Sequence, residues 1–258
     1  MTRQTQTVPL FRETANGLVF DHQTRVENTT IKTYRDAKAF FKNASLKKDI
    51  LLYRVYRGVA LKKDIALFKK NGFRYDITMI YPRRIGDEAT RTIGHTHTKN
   101  KEKVGYPEVY QVLKGRGAFL IQQQKTNILF IISAKKDDTV IIPPGCAHST
   151  VNASPKESLI VANIFIDKKN AQQYNFFKKT HGPLWYPVWK NAALAWERNW
   201  NYKETAKPIH GTSKKLKNAR GQSLYRALVN NPKTFAFLGH PEHYLTQLAV
   251  KNLYSRKD

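Results

Sequence analysis

Short runs of alternating apolar and polar residues, closely spaced along the middle of the chain, dominate this sequence. Gly, Pro, Asn, Asp and Lys separate the runs, and no segment with helix-length periodicity lies between them. Alternation with a period of two is typical of strands with one buried face, and many such strands separated by turns indicate an antiparallel sandwich or barrel. The runs cover residues 74–81, 109–113, 117–122, 127–132, 139–142, 148–151 and 158–165. The pattern therefore predicts an all-β core.

The pattern changes on both sides of this core. Before it, residues 62–71 have a helical pattern that ends at Gly72, a residue suited to a helix C-cap. After it, residues 207–221 are basic and aperiodic, which indicates a linker, and helical patterns follow at 223–229 and 244–253. We expect an N-terminal segment (1–49), a β-barrel domain (50–206), and a basic linker with a mostly helical C-terminal extension (207–258).

Composition narrows the class of protein. In 258 residues, 41% hydrophobic and 12% aromatic residues are enough for a sizeable core. No apolar run reaches the roughly 18 residues of a membrane span, and the N-terminus has no apolar signal core. Cys146, the single cysteine, fits a reducing compartment. We therefore expect a cytoplasmic protein with no membrane association.

The formal net charge of +26 changes this picture only in part. Such a charge is compatible with a nucleic-acid or anionic-membrane binder, with a lysine-rich proteome, or with an enzyme that concentrates an anionic substrate. The basic residues occur as scattered pairs, such as Lys47-Lys48 and Lys178-Lys179, which is typical of a solvated surface. No helix-turn-helix, RNP-like or zinc-finger pattern is present. We expect no specific nucleic-acid partner.

A candidate metal site is the most specific chemical signal. His95 and His97 are two residues apart on one strand, so their side chains point to the same face. Glu108 begins the next strand, and His148 follows the turn at Pro143-Pro144-Gly145. Three imidazoles and a carboxylate form a ligand set for one divalent first-row metal: iron, manganese, zinc, nickel or cobalt. By contrast, His240 and His243 flank a proline and are interpreted as part of a surface turn.

The motifs around these ligands resemble the two signature motifs of the cupin superfamily. They are Gly-His-x-His at 94–97, Glu108 followed by Gly115, and Pro-Gly-x-x-His at 144–148 with Asn152. The ten residues between His97 and Glu108 exceed the usual spacing and, with RYDITMI at 74–80 and YPEVYQVLKG at 106–115, resemble the cupin-type glucose-6-phosphate isomerases of archaea and some bacteria. The resemblance covers roughly residues 50–205. It implies a double-stranded β-helix (jelly-roll) barrel.

The resemblance also implies roles for individual residues. The metal ligands would be His95, His97, Glu108 and His148; Thr78, Thr92, Gly94, Tyr110 and Tyr174 match positions around the metal and the sugar phosphate. Two positions depart from some members of the family: Gly145 replaces an aromatic residue, and Gln172 replaces a histidine. A homodimer is expected, because barrels of this family commonly pair through sheet edges.

The implied reaction is the interconversion of glucose 6-phosphate and fructose 6-phosphate. Glu108 is the candidate base for a cis-enediol route, with Tyr110 on the same face as a hydrogen-bond donor, but a metal ligand is a weakened base. A metal-assisted hydride shift needs no base. The alternatives to an isomerase are a metal-dependent dioxygenase or decarboxylase of cupin type, a non-catalytic sugar-binding cupin, and an RNA-associated basic protein. Arg74, Arg83 and Arg91 are expected at the surface and are candidate phosphate helpers.

Overall fold

The structure is a computed structural model that describes residues 7–42, 46–169, 171–214 and 222–256. Its strands are β1 (Phe11–Thr14), β2 (Gly17–Phe20), β3 (Thr24–Arg25), β4 (Asn28–Thr33), β5 (Leu51–Arg57), β6 (Ala60–Leu61), β7 (Phe73–Ile80), β8 (Arg84–Ile85), β9 (Glu88–Ala89), β10 (Thr96–His97), β11 (Glu108–Lys114), β12 (Arg116–Gln123), β13 (Leu129–Lys135), β14 (Thr139–Ile142), β15 (Cys146–Asn152), β16 (Leu159–Ile166), β17 (Gln172–Gln173), β18 (Trp185–Lys190), β19 (Ala193–Arg198), β20 (Ile209–Ser213) and β21 (Tyr254–Arg256). Its α-helices are α1 (Tyr34–Ala37), α2 (Ile65–Asn71), α3 (Asn175–Lys179), α4 (Leu224–Asn230), α5 (Ala236–Gly239) and α6 (Val250–Leu253). No helix of the described residues is long and apolar enough to cross a membrane.

Two sheets form the barrel. The first has the strand order β14-β11-β16-β7-β5-β4, and the second has the order β15-β12-β13-β20-β21. The chain passes several times from one sheet to the other, for example between β11 and β12, where Gly115 turns the chain with a φ of 82°. Side chains from both sheets, including Val109, Val112, Phe119 and Ile121, share one hydrophobic core. This arrangement confirms the predicted all-β jelly-roll fold.

Local signals account for several of these elements. The helical pattern at 62–71 is confirmed as a 3-10 turn followed by α2, which ends at Gly72 in the left-handed conformation. A Cβ at Gly72 would meet nothing within 4 Å, so the backbone angle alone favours glycine there. Each predicted strand of the core is present, with ends shifted by a few residues.

The two ends of the chain contribute strands to the barrel, which the sequence pattern did not indicate. Within the predicted N-terminal segment, β4 pairs with β5 at the edge of the first sheet. The prediction of a linker over 207–221 is wrong for its first part. There β20 pairs in parallel with β13, and Ile209 lies opposite Phe130. Residues 215–221 of that linker lie outside the described residues. The domain boundaries at 49/50 and 206/207 stay predictions.

The C-terminal extension is helical in short pieces. The helix predicted at 223–229 is present as α4, where Ser223 accepts a hydrogen bond from the backbone N–H of Arg226. The helix predicted over 244–253 is present only as α6 at its end; turns precede it, and the Asn252 side chain donates to the Thr246 carbonyl there. The Tyr225 hydroxyl donates a hydrogen bond to Asp64 Oδ2 at 2.8 Å, and this contact links the extension to the rest of the chain.

Arg91 is fully buried, so its expected place at the surface is wrong. Its Nε donates to Glu88 Oε1 at 2.8 Å, and its guanidinium also donates to the Phe40 carbonyl and lies 4.4 Å from the centre of the Phe41 ring. A buried charge is costly unless it is paired and hydrogen-bonded, and Arg91 meets both conditions. The ion pair therefore holds the segment around Phe40 against the barrel, where that segment forms one wall of the cavity described below.

Candidate metal centre and substrate cavity

Four side chains from both sheets converge inside one end of the barrel. Glu108 opens β11 of the first sheet, and His148 lies in β15 of the second. His97 ends β10, and His95 forms an isolated bridge with His148 just before that strand. Their ligand atoms all lie within 4.8 Å of one another. The structure thus brings together the four residues that the sequence marks as candidate ligands, in an arrangement that could hold a metal ion.

The distances show that the four groups aim at one point. Glu108 Oε2 lies 3.0 Å from His148 Nε2, 3.4 Å from His97 Nε2 and 4.0 Å from His95 Nε2. The Nε2 atoms of His95 and His97 are 3.1 Å apart. Three imidazole nitrogens and one carboxylate oxygen facing the same small space are the donor set of a divalent first-row metal. The residues present therefore fit such an ion.

A contact outside the cluster orients one of the imidazoles. His97 Nδ1 lies 2.7 Å from the carbonyl oxygen of Tyr106, an acceptor, so the ring proton belongs on Nδ1. The Nε2 lone pair then faces Glu108. Such backbone contacts fix the tautomer and ring angle of metal-binding histidines.

The protonation states also suit ligation. Burial lowers the pKa of His95 well below its usual range, and burial also lowers the pKa of His148, so these imidazoles are neutral near pH 7. Burial alone would raise the pKa of Glu108, but the close approach of the His148 and His97 side chains holds it well below its usual range. Neutral imidazoles beside an ionised carboxylate are the forms that bind a metal.

A cavity of about 540 Å³ opens above this cluster. His95, Glu108 and Tyr110 line its inner end, and Tyr110 donates from its hydroxyl to Glu108 Oε2 at 3.0 Å. Burial, together with the Glu108 charge, raises the pKa of Tyr110 well above its usual range. The phenol therefore stays protonated and remains a hydrogen-bond donor at the centre of the site.

The model of the glucose-6-phosphate isomerase (GPI) family matches residues 25–205, about seven-tenths of the chain. The chain belongs to the glucose-6-phosphate isomerase family. It is 29% identical to glucose-6-phosphate isomerase of Thermococcus litoralis over 155 residues, which cover 57% of this chain and 76% of the relative. It is 32% identical to glucose-6-phosphate isomerase of Pyrococcus abyssi over 116 residues, 45% of this chain and 56% of the relative.

Solved structures with similar shape were also found. Oxalate decarboxylase of Bacillus subtilis superposes with a TM-score of 0.36 and 13% identity over 59% of this chain and 32% of that chain. A cupin 2 domain-containing protein of Halorhodospira halophila superposes with a TM-score of 0.30 and 15% identity, covering 40% of this chain and 57% of that chain.

The residues expected around a sugar phosphate in this isomerase family all line the cavity: Thr78, Thr92, Gly94, Tyr110 and Tyr174. Gly94 is the most constrained of them. Its φ is 77°, and a Cβ there would come within 2.6 Å of the Phe177 ring and 2.8 Å of the His148 carbonyl oxygen. Only glycine combines this backbone angle with such close packing. The backbone next to His95 is thereby fixed against the strand that carries His148.

Sequence reasoning missed a row of polar side chains that crosses the floor of the cavity. The strand register pairs Tyr110 with Asn163 and Asn163 with Asp76. Arg57, on the next strand, continues the row, and its NH1 lies 3.2 Å from Asp76 Oδ2. All four line the cavity. One signal was available in the sequence, because Asn163 is the lone polar residue in the apolar strand LIVANIFI.

Further contacts hold this row in place. Asn163 Nδ2 donates to Glu108 Oε1 at 2.7 Å, which joins the row to the candidate ligands. Asp76 is buried and also accepts hydrogen bonds from Gly58 N at 2.9 Å and from Arg74 Nε at 2.9 Å. Arg74, expected as a phosphate helper, is therefore engaged with Asp76 instead.

Most of the exposed charged side chains that line the cavity are cationic, and Asp36 is the acidic one among them. Lys32, Arg35 and Lys38 of the N-terminal segment and Lys178 of α3 line the cavity. Lysine and arginine side chains around one opening raise the local concentration of anions by long-range attraction. This feature supports the interpretation that part of the +26 charge serves an anionic substrate.

Proposed function

We propose that the chain catalyses the interconversion of glucose 6-phosphate and fructose 6-phosphate with one divalent metal in the buried cluster, as a step of glycolysis and gluconeogenesis. The observation that carries the proposal is the convergence of His95, His97, Glu108 and His148 below a polar cavity in a chain of this family. A bound iron, manganese, zinc, nickel or cobalt ion would supply Lewis-acid polarisation of the oxygens at C1 and C2 of the open-chain sugar.

The contacts of Glu108 favour a holding role over that of a general base. Its Oε1 accepts a hydrogen bond from Asn163, and its Oε2 accepts one from Tyr110. A fully buried carboxylate with both oxygens engaged and a low pKa is a poor proton acceptor. We therefore favour the route that needs no base: hydrogen moves with its electron pair from C2 of the aldose to C1.

Tyr110 is placed to serve the accompanying proton movement. As the hydride leaves C2, the hydroxyl on C2 becomes a carbonyl and its proton must reach the oxygen on C1. The Tyr110 hydroxyl lies 3.0 Å from Glu108 Oε2 and 3.3 Å from His148 Nε2, so it faces the space where these oxygens would bind. A phenol can accept one proton while it donates another. No net proton is gained or lost from the protein.

The polar row supplies contacts for the rest of the sugar. Thr78, which is expected near the phosphate, lies two residues after Asp76 in β7 and therefore on the same face of the strand as this row. Arg57 stays 23% exposed within the cavity, and its NH2 lies 3.5 Å from Gln172 Oε1. A guanidinium has five N–H donors, so Arg57 can hold Asp76 and still donate to the substrate. We propose Arg57 as a residue that positions the sugar.

We further propose that the protein acts in the cytoplasm as a homodimer. The substrates are phosphorylated intermediates of central metabolism, and Cys146, the single cysteine, is a buried free thiol. Strands β4 and β21 stand at the ends of their sheets, and sheet edges with unpaired backbone groups are natural places for a second copy to pair.

Purified protein supplied with a divalent metal is expected to convert fructose 6-phosphate into glucose 6-phosphate, and chelation with EDTA should abolish this turnover.

His148→Ala is expected to lose both bound metal and activity, because it removes one of four ligands. The measurements are coupled-enzyme detection of glucose 6-phosphate and metal analysis of each protein. His22→Ala, a change outside the cluster, is the control. If the protein converts no fructose 6-phosphate with any of the five metals, the isomerase proposal is overturned and a sugar-binding role is left.

Glucose 6-phosphate carrying deuterium at C2 tests how hydrogen is transferred. If no base removes it, the deuterium should appear at C1 of fructose 6-phosphate with little loss to water. NMR of the fructose 6-phosphate formed in one conversion in ordinary water measures the fraction of deuterium retained at C1. Extensive replacement by solvent hydrogen would instead establish an enediol route and return Glu108 to the role of base.

Arg57→Met is expected to lower kcat/KM by roughly 10–100-fold, because a hydrogen bond from a charged donor is worth about 1.5–3 kcal/mol. Asp76 keeps Arg74 and the Gly58 N–H as partners, so the fold and the metal content should be preserved. Arg54→Met is the matched control, since Arg54 lies on the same strand but contacts the Tyr81 hydroxyl instead of the cavity. Equal losses in the two variants would exclude a specific role for Arg57.

A further inference from the structure

A second group of metal-binding side chains lies on the C-terminal extension, apart from the ligands of the buried centre. The 3-10 turn Pro241–Tyr244 contains Glu242 and His243, and His240 directly precedes it; the ligand atoms of these three residues all lie within 4.8 Å of one another. The two imidazoles are about 70% exposed, whereas Glu242 is 19% exposed. The sequence interpretation of a surface turn is correct about location but does not account for the convergence of the three groups.

The spacing of these atoms matches tetrahedral coordination. His240 Nδ1 lies 3.4 Å from Glu242 Oε1, and His243 Nε2 lies 3.6 Å from the same oxygen. Zinc binds imidazole nitrogen and carboxylate oxygen at about 2.0–2.2 Å, which places neighbouring tetrahedral ligands roughly 3.3–3.6 Å apart. Both histidine nitrogens thus stand at such a separation from Glu242 Oε1, and the two nitrogens lie within 4.8 Å of each other.

A neighbouring loop orients the carboxylate. Asn100 Nδ2 donates to Glu242 Oε2 at 2.5 Å, and Asn100 Oδ1 accepts from the Val104 N–H at 3.0 Å. With Oε2 held by Asn100, Oε1 remains directed at the two histidines. Outer contacts of this kind fix the orientation of ligands in metal sites.

We infer that His240, Glu242 and His243 form a second site for a divalent cation of the zinc type, with water as the fourth ligand. Two histidines and one glutamate with an open position are a common zinc ligand set. The ion would tie the C-terminal extension to the loop that carries Asn100, which leads from His97 to Glu108. The site does not depend on the isomerase activity proposed above, since it shares no ligand with the buried cluster.

The test is zinc stoichiometry of the metal-free full-length protein, measured by equilibrium dialysis and elemental analysis. Wild-type protein should bind two zinc ions per chain. His240→Ala/His243→Ala should bind one and keep its isomerase activity, whereas His148→Ala should lose the other. His22→Ala/His210→Ala removes two exposed histidines outside both clusters and should still bind two.

The proposal is overturned if the His240→Ala/His243→Ala variant binds as many zinc ions per chain as the wild-type protein. An equal loss in the His22→Ala/His210→Ala control would show nonspecific binding to surface imidazoles and would also overturn it. Glu242→Gln guards against misfolding of the double variant, because it changes only the carboxylate charge. This variant should bind the second zinc ion at least tenfold more weakly, while its circular dichroism spectrum stays that of the wild type.

Discussion

The burial of the Glu108 carboxylate among three histidines is the constraint on which the site depends. An ionised carboxylate removed from water is costly unless hydrogen bonds and opposite charge compensate it. Asn163 and Tyr110 supply hydrogen bonds from the first sheet, and His148 approaches from the second. Hydrogen bonds from the first sheet hold the carboxylate in place, and the second sheet brings His148 within 3.0 Å of it and completes the candidate metal centre.

Two side-chain pairs of the site could be predicted from the sequence because each pair is local, and the cupin-like motifs connected the two histidines with Glu108 and His148. His95 and His97 share a strand face, and Tyr110 stands two residues after Glu108, so alternation alone places each pair on one side. The floor of the cavity is different. Arg57, Asp76 and Asn163 meet only through the register of three separate strands, of which β16 is distant from β5 and β7 in the sequence. No periodicity within a single strand specifies which residues of other strands become neighbours.

The chain ends show the same limit. The stretch 209–213 looked like linker because its own pattern is weak, yet it forms β20 beside β13, some eighty residues earlier in the chain. Arg91 looked like a surface residue because its compensation comes partly from the distant Phe40 carbonyl. In the turn after His240, Glu242 accepts a hydrogen bond from Asn100, which belongs to the loop before Glu108. In each case a long-range contact decides the environment of a residue whose local sequence is ordinary.

Isomerisation is proposed to depend on the ion held by the buried cluster. The decisive experiment titrates the metal-free His240→Ala/His243→Ala variant with manganese while bound metal and turnover of fructose 6-phosphate are measured together. We predict that activity rises in proportion to occupancy and reaches its plateau at one ion per chain. Full activity in the metal-free protein, or a plateau of occupancy at one ion without any turnover, would contradict the claim.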